Sequence, residues 1–239
     1  MKKMKVEVWS DIMCPFCYIG KRNYEKALSQ FKDAAYIEIE WKSFQLDPTI
    51  PEGKIEHSVF EHLAASKGWS MEQCLSIHDQ VTQTAKNAGL TYNFDIAKVC
   101  NSFNAHRIIQ LAKDKGLGDQ AEEQFFKAYF TDGKDLNDQE TLFEIASLIG
   151  LTKEEAATAL TDDSFAYRVK QDIHEAAQIG VRGVPFFVMN RRYAVSGAQV
   201  PEVFLETLEK AYKEWRNDNP LNDFEIIEGQ SCDIDGNCN

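Results

Sequence analysis

Hydrophobic and polar positions alternate in two segments near the start of the chain. Val6 and Val8 alternate with charged residues over 5–9, and apolar residues alternate with charged ones again over 36–44. A period of two is typical of half-buried strands. Over the intervening residues 18–31, the apolar positions recur at helical spacing and line one face. The pattern therefore predicts strand, helix, strand at the start of the chain.

Two further strands are predicted late in the chain. Residues 185–189 and 193–195 have strand character and are separated by a short polar turn. A helix is expected to open near Pro201, since proline suits the first helical turn. Between residues 54 and 178 the periodicity is helical and is punctuated by glycines. This order predicts an α/β protein whose sheet is interrupted by a large all-helical insertion, which fits the thioredoxin fold.

The same pattern predicts how the chain is divided. A thioredoxin-fold domain is expected in two parts, 1–53 and 179–218, with the helical insertion 54–178 between them. The periodicity then fades into a polar C-terminal tail, 219–239.

Composition and charge narrow the classes of function. The 239 residues carry a formal net charge of −12, which opposes binding to nucleic acid or to an anionic membrane. No apolar run approaches the ~18 residues of a membrane-spanning helix. The basic opening of the chain is broken by Glu7 and Asp11 before an apolar stretch develops, so no export signal is predicted. We therefore expect a cytosolic protein that has neither nucleic acid nor a membrane as its partner.

Two of the six cysteines form a Cys-Pro-Phe-Cys motif where the first strand passes into the first helix. Unpaired amides and the dipole at a helix start favour a thiolate, so Cys14 is predicted to be the attacking nucleophile. Cys17 follows one turn later, near enough to form a disulfide with Cys14, and is predicted to be the resolving thiol. Pro15 stiffens the loop, and Phe16 adds no charge.

A zinc site is the structural alternative, because a Cys-x-x-Cys pair is also half of many zinc knuckles. It needs two further ligands. The remaining candidates are distant cysteines and histidines scattered over the helical segment, with no second closely spaced pair nearby. The context therefore favours redox chemistry and predicts no metal.

Pro185 opens the predicted third strand after Gly183 and Val184. A cis Val184–Pro185 bond would expose the Val184 backbone beside the dithiol, where an extended substrate could pair as an added strand. A trans proline at an edge strand is the alternative. The residues alone favour trans, because only about 5–6% of such bonds in folded proteins are cis.

Several segments together resemble the DsbA-like branch of the thioredoxin superfamily, especially its FrnE-type members. The matching segments are Trp9-Ser10-Asp11 with Cys14-Pro15-Phe16-Cys17-Tyr18, Asn104-Ala105-His106-Arg107, Gly180-Val181-Arg182-Gly183-Val184-Pro185-Phe186-Phe187, and Val195-Ser196-Gly197-Ala198-Gln199. The resemblance implies a thioredoxin fold with a helical insertion and dithiol–disulfide exchange on protein thiols. It also implies a cis bond at Pro185, against the base rate.

Glutathione transferases of the kappa class and 2-hydroxychromene-2-carboxylate isomerases look similar in layout. They typically have serine where this chain has Cys14, and this difference favours redox chemistry. Glutathione-dependent transfer or isomerisation remains the alternative, with glutathione as the cofactor it would need. The favoured function needs no cofactor beyond the redox-active disulfide itself, and its partners are protein thiols or disulfides together with a thiol redox donor or acceptor.

Other polar and sulfur-containing residues are weaker candidates. His106 and Arg107 border a predicted apolar helical face formed by Ile96, Val99, Cys100 and Phe103, and they either point toward the dithiol groove or serve as hydrogen-bonded packing. Asp11 either relays a proton or caps the first helix. Cys74 and Cys100 are expected to be buried thiols without chemistry.

Cys232 and Cys238 form a candidate second redox pair in the tail. Five residues, one of them a glycine, separate the two and allow the chain to turn so that the sulfurs can meet. Such a pair could relay electrons between Cys14 and Cys17 and an outside partner. The alternatives are a disulfide without function or two free thiols.

Overall fold

The structure is a computed structural model that describes residues 2–220. Four strands form one sheet in the order β2-β1-β3-β4. They are β1 (Met4–Ser10), β2 (Ile37–Ser43), β3 (Phe186–Met189) and β4 (Tyr193–Ser196). β1 pairs in parallel with β2, whereas β3 is antiparallel to both β1 and β4. The strands predicted from the alternating pattern are all present, with bounds shifted by one residue at most at each end.

Helix α1 (Pro15–Gln30) connects the two parallel strands, and α9 (Pro201–Asp218) follows the hairpin. Both helices have proline in their first turn. The helices between β2 and β3 are α2 (Val59–Lys67), α3 (Met71–Asn87), α4 (Phe103–Asp114), α5 (Gly118–Phe130), α6 (Gln139–Ile149), α7 (Lys153–Thr161) and α8 (Asp163–Gln178). The α/β fold class with an all-helical insertion is confirmed.

Two apolar cores both include residues of helix α1. One core lies between the sheet and helices α1 and α9 and includes Val6, Tyr24 and Phe204. The other fills the insertion and extends to Cys14 and Cys17. The dithiol therefore lies where the insertion packs against the thioredoxin-fold part of the chain.

The apolar helical face expected to include Ile96, Val99 and Cys100 is wrong, since α4 begins only at Phe103. Side chains bind the backbone amides of this segment and so replace helical hydrogen bonds. The Asn137 side chain accepts from the Asn101 amide at 2.9 Å, and the Asn101 side chain accepts from the Phe103 amide at 2.9 Å. Asparagine competes with helical hydrogen bonding in this way.

Candidate active site

Cys14 occupies the N-cap position of α1, immediately before Pro15. Its backbone is extended, with φ −88° and ψ 111°, and its amide donates to the Asp11 carbonyl at 2.9 Å. The prediction that Cys14 lies at the helix start is confirmed. A sulfur at this position is adjacent to the unpaired amides and to the positive end of the helix dipole.

The Cys14 thiol faces the turn before β3. It donates to the Val184 carbonyl at 3.4 Å, and the Val184–Pro185 peptide bond is cis. The prediction of a cis bond beside the dithiol, which rested on the resemblance, is therefore confirmed. Cys14 is only 4% exposed, while Phe16 is 44% exposed and Val184 is half-buried.

Gly20 allows this turn to approach α1 closely. A Cβ atom on Gly20 would lie 2.9 Å from Cγ of Pro185, closer than real contacts allow. A larger residue at this position would therefore have to displace Pro185.

Cys17 is fully buried, one helical turn beyond Cys14. Burial raises the pKa of its thiol well above the usual range, and the neighbouring Cys14 raises it further. Hydrogen bonds from the Asp11 backbone and the Ser10 side chain act in the opposite direction on that pKa. Cys17 therefore stays protonated at neutral pH unless a neighbouring group takes up its proton.

A cluster of buried polar side chains lies beneath Cys17. The Ser10 hydroxyl donates to Oε2 of Glu122 at 3.3 Å, and both residues are buried. Burial raises the pKa of Glu122 to about 7, although His106, the Ser10 hydrogen bond and Lys21 each act to lower it. Oε1 of Glu122 and both ring nitrogens of His106 have no hydrogen-bond partner within residues 2–220.

Asp11 fixes the turn before the dithiol. Its Oδ1 accepts from the Met13 amide at 3.3 Å, and its Oδ2 accepts from the Leu46 amide at 2.7 Å. Nε2 of His106 lies 3.6 Å from Oδ1 of Asp11, too far for a hydrogen bond. The carboxylate thus binds amides of two loops and does not cap α1, whose N-cap is Cys14.

The remaining candidates from the sequence are Arg107, Cys74 and Cys100. Arg107 donates to the carbonyls of Ala159 at 2.8 Å and Asp162 at 3.2 Å, so it binds the C-terminal end of α7 and does not line the groove. His106, the residue before it, is buried and is the one that lies near Asp11, with 3.6 Å between Nε2 and Oδ1. Cys74 and Cys100 are buried, and burial raises the pKa of each.

Ser10 and Glu122 were not predicted from the sequence to belong to the site. Glu122 lies on the apolar face of α5, three and four residues before Phe125 and Phe126 and seven before Tyr129. An acid within an apolar stripe is a detectable signal, because an unpaired buried charge is costly. Ser10 lies at the end of β1, and nothing in the local sequence indicates its contact with α5.

Three further features considered from the sequence lie outside this cluster: a zinc site, the tail cysteine pair and a membrane-spanning helix. Within residues 2–220, no group of three or more His, Cys, Asp and Glu side chains is arranged to hold a metal ion. Cys232 and Cys238 lie outside the described residues. In the part of the chain that the structure covers, no helix has the length and hydropathy needed to cross a membrane.

Comparisons with known proteins agree with this architecture. A probable DsbA oxidoreductase of Streptomyces coelicolor superposes with a TM-score of 0.82 at 38% identity, over 99% of this chain and 98% of the other. The uncharacterized protein YwbO of Bacillus subtilis (strain 168) is 23% identical over 210 residues, which are 87% of this chain and 97% of YwbO. A 2-hydroxychromene-2-carboxylate isomerase shares the fold, with a TM-score of 0.56 at 15% identity, over 92% of this chain and 100% of the other.

The family model that describes the DSBA-like thioredoxin domain matches residues 5–209. That match includes the sheet, the dithiol, the whole helical insertion and the first half of α9. It does not separate FrnE-type members from others, so the narrower assignment stays a prediction. With this match, and with a cis-proline turn against a Cys-Pro-Phe-Cys helix start, the chain belongs to the DSBA-like thioredoxin domain family.

Proposed function

We propose that this chain catalyses dithiol–disulfide exchange on protein substrates through Cys14 and Cys17. The observation that carries the proposal is the position of Cys14 at the start of α1, with its thiol 3.4 Å from the Val184 carbonyl and Cys17 buried one turn behind it. The helix start places the first cysteine beside unpaired backbone amides, and burial keeps the second from reacting with other disulfides.

The reaction has two displacement steps. The Cys14 thiolate attacks one sulfur of a substrate disulfide, so a Cys14–substrate bond forms and the other substrate sulfur leaves as a thiolate. Cys17 then attacks the Cys14 sulfur and releases the second substrate thiol, which leaves a Cys14–Cys17 disulfide. The substrate gains two electrons and the enzyme dithiol loses them. The same steps in reverse oxidise a substrate, and the direction follows from the relative reduction potentials.

The turn at Val184 and Pro185 is the proposed substrate-binding site, together with Pro15 and Phe16. Val184 is half-buried and its carbonyl already faces the Cys14 sulfur, so a peptide that lies along this backbone brings its disulfide to the nucleophile. The exposed Phe16 ring offers apolar contact area beside it.

The alternative is a glutathione-dependent transferase or isomerase. The likeness to 2-hydroxychromene-2-carboxylate isomerase concerns the fold, which hosts both activities. Among the contacts of residues 2–220, none favours this alternative over disulfide exchange. A cytosolic location, a thiol redox partner, and the exclusion of nucleic acid and membranes as partners also remain predictions from the sequence.

Reduction of insulin disulfides by the full-length protein, Cys14→Ser and Cys17→Ser tests the proposal. The Cys14→Ser variant should lower the rate to that of the reductant alone. The Cys17→Ser variant should accumulate one covalent substrate adduct at Cys14, visible by intact mass, because only the release step is lost. Glutathione conjugation by the wild type, measured in parallel, tests the alternative. Equal adduct formation by both variants, or conjugation without insulin reduction, would contradict the proposal.

A further inference from the structure

Glu122 is a buried acid that the helical insertion places behind the dithiol. We infer that Glu122 accepts the proton of Cys17, through the Ser10 hydroxyl, when Cys17 attacks the mixed disulfide. This inference rests on the proposed function and adds a named proton acceptor to its release step. Glu122 acts on the Cys17 thiol through the Ser10 hydroxyl and is therefore a positioning residue.

Cys17 needs such a group because it has no access to solvent. Its side chain is fully buried, and only its thiolate can attack the Cys14 sulfur. Without a nearby acceptor, the proton would have no route out of the core during the step. The Ser10 side chain lowers the pKa of Cys17, against the effect of burial, and its hydroxyl donates to Oε2 of Glu122 at 3.3 Å. A hydroxyl can donate one proton while it accepts another, so it can transmit the proton between the two groups.

Glu122 is better suited to this role than Asp11, the other buried acid near the dithiol. Each oxygen of Asp11 accepts from a backbone amide, so protonation of Asp11 would break a contact that holds the active-site turn. Oε1 of Glu122, in contrast, has no hydrogen-bond partner in the described chain. Glu122 can therefore change its protonation state without loss of a backbone contact.

The surroundings of Glu122 allow it both to accept and to return a proton near neutral pH. The charged or titratable groups that face it are His106 on α4, Lys21 on α1 and Asp119 on its own helix, with Cys17 beyond Ser10. Burial outweighs the opposing effects of His106, Ser10 and Lys21 and raises the pKa of Glu122 to about 7. An acid or base is most effective when its pKa lies near the working pH.

Polar side chains also continue from Glu122 toward the surface. Asp119 lies three residues earlier on α5, and its Oδ1 is 3.2 Å from Nζ of the buried Lys21. The Asp119 side chain is half exposed. These polar side chains extend from Glu122 to solvent, and the proton on Glu122 can leave along them between turnovers.

The resulting step balances. Cys17 loses its proton through Ser10 to Glu122, and its sulfur forms a bond with the Cys14 sulfur. The bond between Cys14 and the substrate sulfur breaks, and the substrate leaves as a thiolate with that electron pair. In the reverse direction, Glu122 returns the proton to Cys17 as the Cys14–Cys17 disulfide opens.

A chromophoric aromatic disulfide, 5,5′-dithiobis(2-nitrobenzoate), separates the two steps because each releases one coloured thiolate. The first phase reports attack by Cys14, and the second reports attack by Cys17 on the mixed disulfide. The full-length chain carries Cys232→Ser and Cys238→Ser in every variant, so that tail thiols do not contribute. The proteins to compare, all with these two tail substitutions, are the otherwise wild-type chain (called wild type below), Glu122→Gln, Ser10→Ala and Glu123→Gln, between pH 5 and pH 9.

We expect the second phase of the wild type to accelerate with an inflection near pH 7, where Glu122 loses its proton. In Glu122→Gln this phase should slow at least about 100-fold at pH 8 and lose that inflection, since positioned bases contribute about 10²–10⁴-fold. The first phase should keep its wild-type rate, which also shows that the variant is folded. Ser10→Ala should slow the second phase likewise.

Glu123→Gln is the matched control, because Glu123 is adjacent on α5 but accepts from Tyr18 at 2.6 Å and pairs with Arg22. It should keep both phases and the inflection. A second phase of Glu122→Gln with the wild-type rate and pH dependence would overturn the inference, as would equal slowing of both phases. Absence of the first phase in the wild type would instead refute the proposed function itself.

Discussion

At the residue scale, two cysteines three positions apart have opposite surroundings. Cys14 lies at a helix start and contacts a backbone carbonyl, whereas Cys17 is enclosed and burial raises the pKa of its thiol. The motif predicts this division of roles, because the spacing places the second cysteine one turn into the helix. It does not predict the acid behind them. Glu122 follows Cys17 by more than a hundred residues, and only folding brings it to Ser10.

The raised pKa of Glu122 predicts how stability depends on pH. In the unfolded chain this carboxyl has its ordinary pKa of 4.5, and in the folded protein the pKa is about 7. The folded state therefore binds the proton more tightly, so this group makes the protein less stable as the pH rises from 4.5 through 7. The loss approaches about 3 kcal/mol above pH 8, at 1.36 kcal/mol per pKa unit.

Urea unfolding of the reduced wild type and of Glu122→Gln, at steps between pH 4.5 and pH 8, measures this effect. The glutamine variant should gain stability relative to the wild type by about 3 kcal/mol across that range, because it has no charge to bury. Glu123→Gln should show no such gain, since the pKa of Glu123 is lowered in the folded protein. Parallel pH profiles for wild type and Glu122→Gln would show that Glu122 is not buried as described.

At the element scale, most helices and strands follow from local pattern. The strands alternate, α1 and α9 open on proline, and α2, α3 and α7 begin with complete capping boxes. The segment before α4 shows where this reasoning fails. Its apolar spacing suits a helix, but side chains of Asn101 and Asn137 bind its amides instead. Periodicity does not reveal such contacts, because one partner comes from another loop 36 residues away.

The close approach of α1 to the turn before β3 predicts the effect of Gly20→Ala. Alanine gains about 1 kcal/mol in helix propensity over glycine, whereas overpacking costs typically about 1–3 kcal/mol. Stability should therefore fall by no more than about 2 kcal/mol. The added methyl must push Pro185, and with it the Val184 carbonyl beside Cys14, by a few tenths of an ångström.

Because substrate alignment depends on that turn, insulin reduction by Gly20→Ala should slow about 10-fold, out of proportion to the change in stability. The control is Ser29→Ala, an exposed position later in the same helix. Thermal unfolding and turnover are to be measured for both variants. Wild-type turnover in Gly20→Ala would contradict a role for the precise placement of this turn.

At the scale of the whole molecule, the insertion is bound to the sheet by long-range polar contacts. The indole of Trp9 donates to the Asp172 carbonyl at 2.9 Å, and the indole of Trp41 donates to Asp119 at 3.0 Å. Oδ2 of Asp172 also accepts from the Ser43 amide at 3.0 Å. These contacts hold α5 and α8 against β1 and β2, and so hold Glu122 behind Ser10.

Sequence pattern predicts that an insertion exists, but not how it docks. The Trp9 contact spans 163 positions of the chain and the Trp41 contact spans 78, and local periodicity does not reveal either of them. The thioredoxin-like order of strands and helices, the dithiol and the cis proline were predicted from the sequence and its resemblance to the family. The polar cluster beneath Cys17 was not predicted, because it is assembled from three elements. The four-part division of the chain and the role of the tail pair Cys232 and Cys238 stay predictions.

The proposed function requires that Cys14 and Cys17 form a working two-electron couple. To test this, the full-length protein is equilibrated with glutathione buffers of graded ratio, the thiols are trapped with acid, and the Cys14–Cys17 disulfide is measured by peptide mass. We expect one intramolecular disulfide whose oxidised fraction follows a single two-electron curve, with a tenfold change for each ~30 mV, and its complete loss in Cys14→Ser. Thiols that remain reduced at every ratio, or a glutathione adduct on Cys14 that never resolves to the Cys14–Cys17 disulfide, would contradict the claim.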